Sequence, residues 1–244
     1  MTESIYILTS SQMGLRRKLD ITSNNLANLN TSGFQKEKID FKEFVADSKS
    51  NKEEDRSYVE EKGTYSDISQ GSFTKTDSQF DFAINGEGYF AVMDPDSNEI
   101  QYTRSGNFTM SNQGNIVTQD GFLVLAEGNA PINIPEGSGE IIVSSDGTMS
   151  TENGLLLGRL AAYNTNNPEL MERAGGTRFK TDAEMVEVDN ATIVQGMRED
   201  SNVNPIEEIT SLIEVQRAYE RNSKFIDSED KRIEGLISKI SQKV

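Results

Sequence analysis

Asp94, Asp96 and Asn98 stand at alternate positions in Asp94-Pro95-Asp96-Ser97-Asn98-Glu99, the spacing at which oxygen donors open a calcium-binding loop. Such a loop needs glycine at its sixth position for the sharp turn and glutamate at its twelfth to chelate through both oxygens. Glu99 and Ser105 stand there instead, so a solvated hairpin turn accounts for the stretch. Gly86-Glu87-Gly88 resembles part of a phosphate-cradling loop. It leads into a strand-like run and not into a helix, which favours a turn or a close backbone approach. Carboxylate pairs of the kind that cleave glycosidic bonds can be drawn anywhere in residues 35–200, which hold 30 acidic groups, so no single pair is informative. Lysine and tyrosine show no spacing that suggests chemistry. The chain has neither His nor Cys. That removes the commonest general base, thiolate nucleophiles, disulfides and Cys-ligated metals. The residues point to no catalytic group, no metal and no cofactor.

The elements that would position any site are more informative. The chain has 244 residues, 34% of them hydrophobic, with a mean hydropathy of -0.58. Its net charge of -16 lies almost wholly in residues 35–200; residues 1–34 carry +1 and residues 201–244 carry -1. An acidic middle suits solvent, and nearly neutral ends suit burial. No basic stripe is present for nucleic acid. The start, MTESIYILTSSQMG, lacks the basic and apolar regions of a secretion signal. Apolar runs such as FLVLA fall far short of the roughly 18–20 residues a membrane span needs, so no membrane insertion is expected.

Ile5, Leu8, Leu15, Leu19, Leu26 and Leu29 keep a seven-residue rhythm that Gln12 and Thr22 complete, which predicts an amphipathic or coiled-coil helix. Thr9, Ser10, Ser11 and Ser23 lie off that seam, with Asn24 and Asn25, and lower its intrinsic propensity. Asn204-Pro205-Ile206-Glu207 reads as a second helix start, with Asn as cap, Pro at the first helical position and Glu reaching back. A longer seam follows at Leu212, Val215, Tyr219, Asn222, Ile226, Glu229, Ile233, Leu236 and Ile240. Between the helices, short apolar or alternating runs recur: 89–93, 100–104, 107–111, 115–119, 122–126, 141–145, 155–163, 185–189 and 192–197. They are separated by turns such as SNQG, QDG, SDG and ENG, which predicts antiparallel β structure. The resulting expectation is an α+β chain: helix and motif over 1–34, an extended linker over 35–72 (flexible or extended from Asp47 to Lys62), a β-rich domain over 73–199, and a helix over 200–244.

Two groups of residues resist this generic reading. Ile21–Gln35 loads a helix end with Asn24, Asn25, Asn28 and Asn30 and then stops at Ser32-Gly33-Phe34. Ser23 to Phe34 fit the pattern S-x-N-[LI]-A-N-x-x-T-x-G-[FY], which resembles the amino-terminal signature of the flagellar rod, hook and hook-associated axial proteins. The carboxyl-terminal counterpart is present in Gly196-Met197, in Glu199-Asp200-Ser201-Asn202-Val203-Asn204 and in Glu214-Val215-Gln216-Arg217-Ala218-Tyr219-Glu220. Phe82 to Phe90 and Tyr102 to Phe108 resemble the family's middle.

The resemblance implies a structural subunit of the basal-body rod, the tubular shaft that carries motor torque to the hook. It implies that both terminal helices pair as a coiled coil on assembly, with the β domain outside. It implies partners among copies of the chain, other rod proteins and the flagellar type III export apparatus, and a place in the rod across the periplasm, reached without a cleaved signal. The short segment between Phe44 and Gly63 favours the proximal over the distal rod protein. The residues expected at the assembly interface are Ile5, Leu8, Leu15, Leu19, Asn24, Asn25, Leu26, Asn28, Gly33 and Phe34 from the first end. Asn202, Asn204, Leu212, Val215, Tyr219, Ile226, Ile233, Leu236 and Ile240 are expected from the second. The alternatives are the distal rod protein, a self-contained β-rich module that dimerises through its terminal helices, and an enzyme that cleaves cell-wall glycan.

Overall fold

The computed structural model describes residues 2–46, 56–188 and 190–241. It is an α+β chain that divides into two compact units. The first unit comprises Met1–Ala27, Glu37–Asp67 and Asn204–Val244; the second comprises Asn28–Lys36 and Ile68–Val203.

In the first unit, helix α1 spans Thr2–Ala27 and helix α2 spans Pro205–Ser241. α1 tolerates its hydroxyl residues because they bond back along the helix: Ser10 to the Ile7 carbonyl, Thr22 to that of Lys18 and Ser23 to that of Leu19, at 2.8–2.9 Å. α2 begins as expected. The Asn204 carboxamide oxygen accepts the Ile206 N–H at 3.1 Å, and Pro205 needs no partner at the first helical position. Glu207 takes the Asn204 side-chain amide at 3.2 Å. The helices run antiparallel and pack along one another, with Asn25 meeting Glu208 near one end and Asn222 meeting the Leu8 carbonyl near the other.

The segment read as a linker departs from that expectation. Glu37–Ala46 (β1) and Arg56–Ser66 (β2) form an antiparallel ladder from Glu37↔Ser66 to Ala46↔Arg56, with a register shift between Asp40 and Phe41. Charged residues dominate the composition and mask the alternation Ile39, Phe41, then Val45. The connection, 47–55, within the stretch expected to be flexible or extended, lies outside the described residues.

The second unit is antiparallel β structure. A seven-stranded sheet runs in the order 172–175, 178–180, 100–103, 90–93, 123–124, 116–117, 109–110. A three-stranded sheet joins 141–143, 148–151 and 156–159, and pairs join 82–85 to 192–195, 73–75 to 197–199 and 163–164 to 186–187. Each predicted run contains a strand. The strands at 73–75, 82–85, 148–151, 172–175 and 178–180 had no clear sequence signal. Phe82, Ile84, Phe90, Val92, Ile116, Val124, Ile132, Met149 and Leu160 form one fully buried core. Phe90 meets Phe108 edge-on at 5.3 Å.

Candidate assembly interface

The asparagine-rich stretch is divided between the two units, and each part has its own partners. Asn25 closes the end of α1 in the first unit. Its side chain is 1% exposed. Its amide nitrogen donates to the Glu37 carbonyl at 2.9 Å and to Glu208 Oε2 at 3.3 Å, and its oxygen accepts the Glu37 N–H at 2.9 Å. One carboxamide thus satisfies the first residue of β1 as a strand neighbour would and ties it to α2. Asn24 is exposed.

Along the seam, Val215 and Asn222 are buried. Leu8, Leu15, Leu19, Leu26, Leu212, Tyr219, Ile226 and Ile233 are half-buried, and Leu236 is exposed. The side chains of Ile5 and Ile240 lie outside those described. Ile21, Thr22 and Glu208 are also buried, though of these only Thr22 lies on the predicted seam.

Residues 28–36 belong to the second unit. Asn28 accepts the Thr31 hydroxyl at 3.1 Å, which shapes the turn. Gly33 adopts φ +66°, and a Cβ there would lie 2.3 Å from the Ser105 nitrogen, so only glycine fits. Its N–H donates to the Glu199 carbonyl at 2.8 Å, and the Ser32 hydroxyl donates to the same oxygen at 2.9 Å. Phe34 is 2% exposed. The Arg173 guanidinium lies 4.7 Å from the Phe34 ring centre and 4.9 Å from that of Phe179. A half-buried stack of this kind adds about 1 kcal/mol to the burial of the ring. Arg173 also donates to the Gln35 carbonyl at 2.8 Å, and Gln35 accepts the Tyr89 hydroxyl at 3.0 Å. Burial pushes the Tyr89 phenol up. Asn202 stitches the far side: its oxygen accepts the Lys36 N–H at 2.6 Å and its amide donates to the Ser69 carbonyl at 2.8 Å.

Beneath this segment lies a buried ion pair. Arg104 and Glu199 are both nearly fully buried, and Arg104 Nε stands 3.0 Å from Glu199 Oε2, out of hydrogen-bond alignment. Arg104 donates to the Gly88 and Gly86 carbonyls at 2.5 and 2.9 Å, and Glu199 Oε1 accepts the Gly71 N–H at 3.0 Å. The Gly86-Glu87-Gly88 stretch is therefore a turn whose carbonyls hold an arginine. Burial raises the Glu199 carboxyl above its ordinary range, and Arg104 partly opposes that. Sequence reasoning passed over Arg104, Arg173 and Glu199. Glu199 stands in the motif at 196–204 and Arg104 in that at 102–108, which was the available signal.

In the turn at Asp94, the carboxylate accepts the Asp96 N–H at 2.9 Å, a bond that lowers the Asp94 pKa. Among the described residues no group of carboxylates could hold a metal ion. No described helix is long and apolar enough to cross a membrane. The arrangement offers helix faces and a docked turn.

Three family descriptions match parts of the chain: "Flagella basal body rod protein" over 5–35, "Flagellar hook protein FlgE/F/G D1 domain" over 83–151, and "Flagellar basal body rod FlgEFG protein C-terminal" over 194–238. The flagellar basal-body rod protein FlgF of Caulobacter vibrioides is 38% identical over 234 residues, 93% of this chain and 94% of that protein. That of Mesorhizobium japonicum is 34% identical over 246 residues, 98% of this chain and 100% of that protein. The rod protein FlgG of Buchnera aphidicola subsp. Acyrthosiphon pisum is 33% identical over 272 residues, 97% of this chain and 99% of that protein. The last match is longer than the chain itself, so the FlgG relative carries insertions that this chain lacks.

Proposed function

The chain belongs to the flagellar basal-body rod protein family and is a structural subunit of the rod, and from that premise we propose that it builds the proximal rod. Its length supports this reading, because it aligns with the FlgF relatives almost without gaps and with the FlgG relative only across insertions. The observation that carries the assembly role is the first unit. Two long helices hold each other through Asn25 and Asn222, yet Ile206, Ile209, Ile213 and Phe225 on α2 remain exposed to solvent. Those apolar side chains have a use if neighbouring subunits cover them.

On this reading the helices pair as a coiled coil in the inner layer of a tube. The interface residues are those named from the two sequence seams, and the 28–36 turn is fixed to the β unit. The acidic second unit faces outward, toward the periplasm. Close-packed subunits resist deformation, as a torque-carrying shaft must. The chain reaches its place through the flagellar type III export apparatus. Axial neighbours are other copies and related rod proteins.

Deleting the chain and isolating basal bodies tests this. A proximal subunit is a foundation, so the deletion strain is expected to lack both the more distal axial proteins and the hook. Complete rods and hooks in that strain would contradict the proposal. Rods that lack only their outer portion would favour the distal alternative.

A further inference from the structure

A small polar cavity opens in the second unit where the 28–36 turn meets the strands at 100–103 and 178–180 and the turn at 118–121. Its volume is about 180 Å³. That is below the roughly 300–1,000 Å³ of pockets for drug-sized ligands, and it equals the liquid volume of about six water molecules. It therefore suits one ring-sized polar molecule. Six of its eleven lining residues are serine or threonine, and none carries an apolar side chain.

Charge narrows the choice of ligand. The two charged lining residues, Asp120 and Arg178, pair with each other. The wall has no net charge, so neither a simple anion nor a simple cation finds a counter-charge there. Arg178 is also held rigid. Its guanidinium lies 3.9 Å from the Phe122 ring centre, and its Nε donates to Gln101 at 3.0 Å. Its Nη1 donates to Asp120, which leaves Nη2 without a partner among the described residues.

The hydroxyls narrow it further. Thr31 donates to Asn28 at 3.1 Å, Ser32 to the Glu199 carbonyl at 2.9 Å, and Ser105 to Asn107. Each has spent its one proton inside the protein and keeps lone pairs for another donor. Thr118 is the reverse case: its oxygen accepts the Phe122 N–H at 3.1 Å, and its proton remains to be given. The cavity wall thus offers spare acceptors together with spare donors.

We infer that this cavity binds one neutral saccharide ring. Sugar hydroxyls both donate and accept, so a single ring meets the lone pairs of Thr31, Ser32 and Ser105 and the protons of Thr118 and Arg178 together. An acceptor-only anion meets just the protons, and a metal cation just the lone pairs. The site lies wholly in the second unit and does not depend on the proximal-rod reading.

Amide spectra of the ¹⁵N-labelled full-length chain test this, with glucose, N-acetylglucosamine, phosphate and potassium chloride titrated separately. A ring with so few atoms is expected to bind with a dissociation constant on the order of 1 mM. The expected result is saturable shifts with at least one of the two sugars, centred on the amides of Ser32, Ser105, Gln119 and Thr177. Thr118→Val, which removes a donor, and Gln119→Ala, which removes an exposed lining amide, are each expected to weaken binding roughly three- to tenfold. Unchanged amide positions for the core residues Phe90 and Met149 show that each variant is folded. No saturable shift with either sugar, shifts centred elsewhere, or undiminished affinity in both folded variants would overturn the site. Equal response to phosphate or potassium would overturn the choice of a neutral ligand.

Discussion

Arg104 and Glu199 show how one residue pair can hold several turns of the β unit together. Glu199 receives Gly71 on its side chain and Ser32 and Gly33 on its carbonyl, while Arg104 gathers the carbonyls of Gly86 and Gly88. Burying two charges costs several kcal/mol each before their attraction is counted, so the pair specifies an arrangement more than it stabilises one. The pH dependence follows from the raised Glu199 pKa. The folded state binds that proton more tightly than the unfolded chain. Its contribution to stability is therefore fully present below the ordinary carboxylate value of 4.5 and is lost as pH rises through the higher folded value. In calorimetry, the β-unit transition of the native chain is expected to weaken over that window relative to Glu199→Gln, which has no proton to lose. Parallel pH profiles for the two proteins would refute this. Little of it was legible in the sequence. Glu199 could be placed in a motif, but its burial against an arginine 95 positions earlier depends on how distant strands meet.

At the scale of elements, Asn25 joins three: the end of α1, the first residue of β1 and the first turn of α2. Removing it takes one partner each from the N–H and the carbonyl of half-buried Glu37, at about 1 kcal/mol for each lost bond. Asn25→Ala together with Asn28→Ala is expected to impair rod assembly, read as axial protein recovered in isolated basal bodies. The core strands of the β unit should melt as before; intact rods from the double variant would count against this role. Both helices were legible because a seven-residue apolar rhythm survives poor local propensity. The β1/β2 hairpin was not, because its charged residues mimic a solvated linker and its pairing is satisfied by backbone. Phe34 was legible as the last residue of the signature, yet its stack with Arg173 was not, since cation–π partners leave no spacing in the sequence.

For the whole molecule, two units with different tasks share an interleaved chain. The β unit buries a continuous core of its own, with Phe82, Phe90 and Met149 at its centre. The helical unit is thinner, with many seam residues only half-buried and an apolar stripe open to solvent. Its stability should therefore depend on neighbours far more than that of the β unit does. The most direct measurement is limited proteolysis of the free monomer beside isolated basal bodies, with fragment masses read from each. The monomer is expected to lose both ends and keep a core of about 68–203, the continuous stretch of the β unit, while both ends resist cleavage in the rod. Equal resistance of both ends in a demonstrated monomer would mean that the helical unit is complete by itself, and that neighbours are not what finishes it.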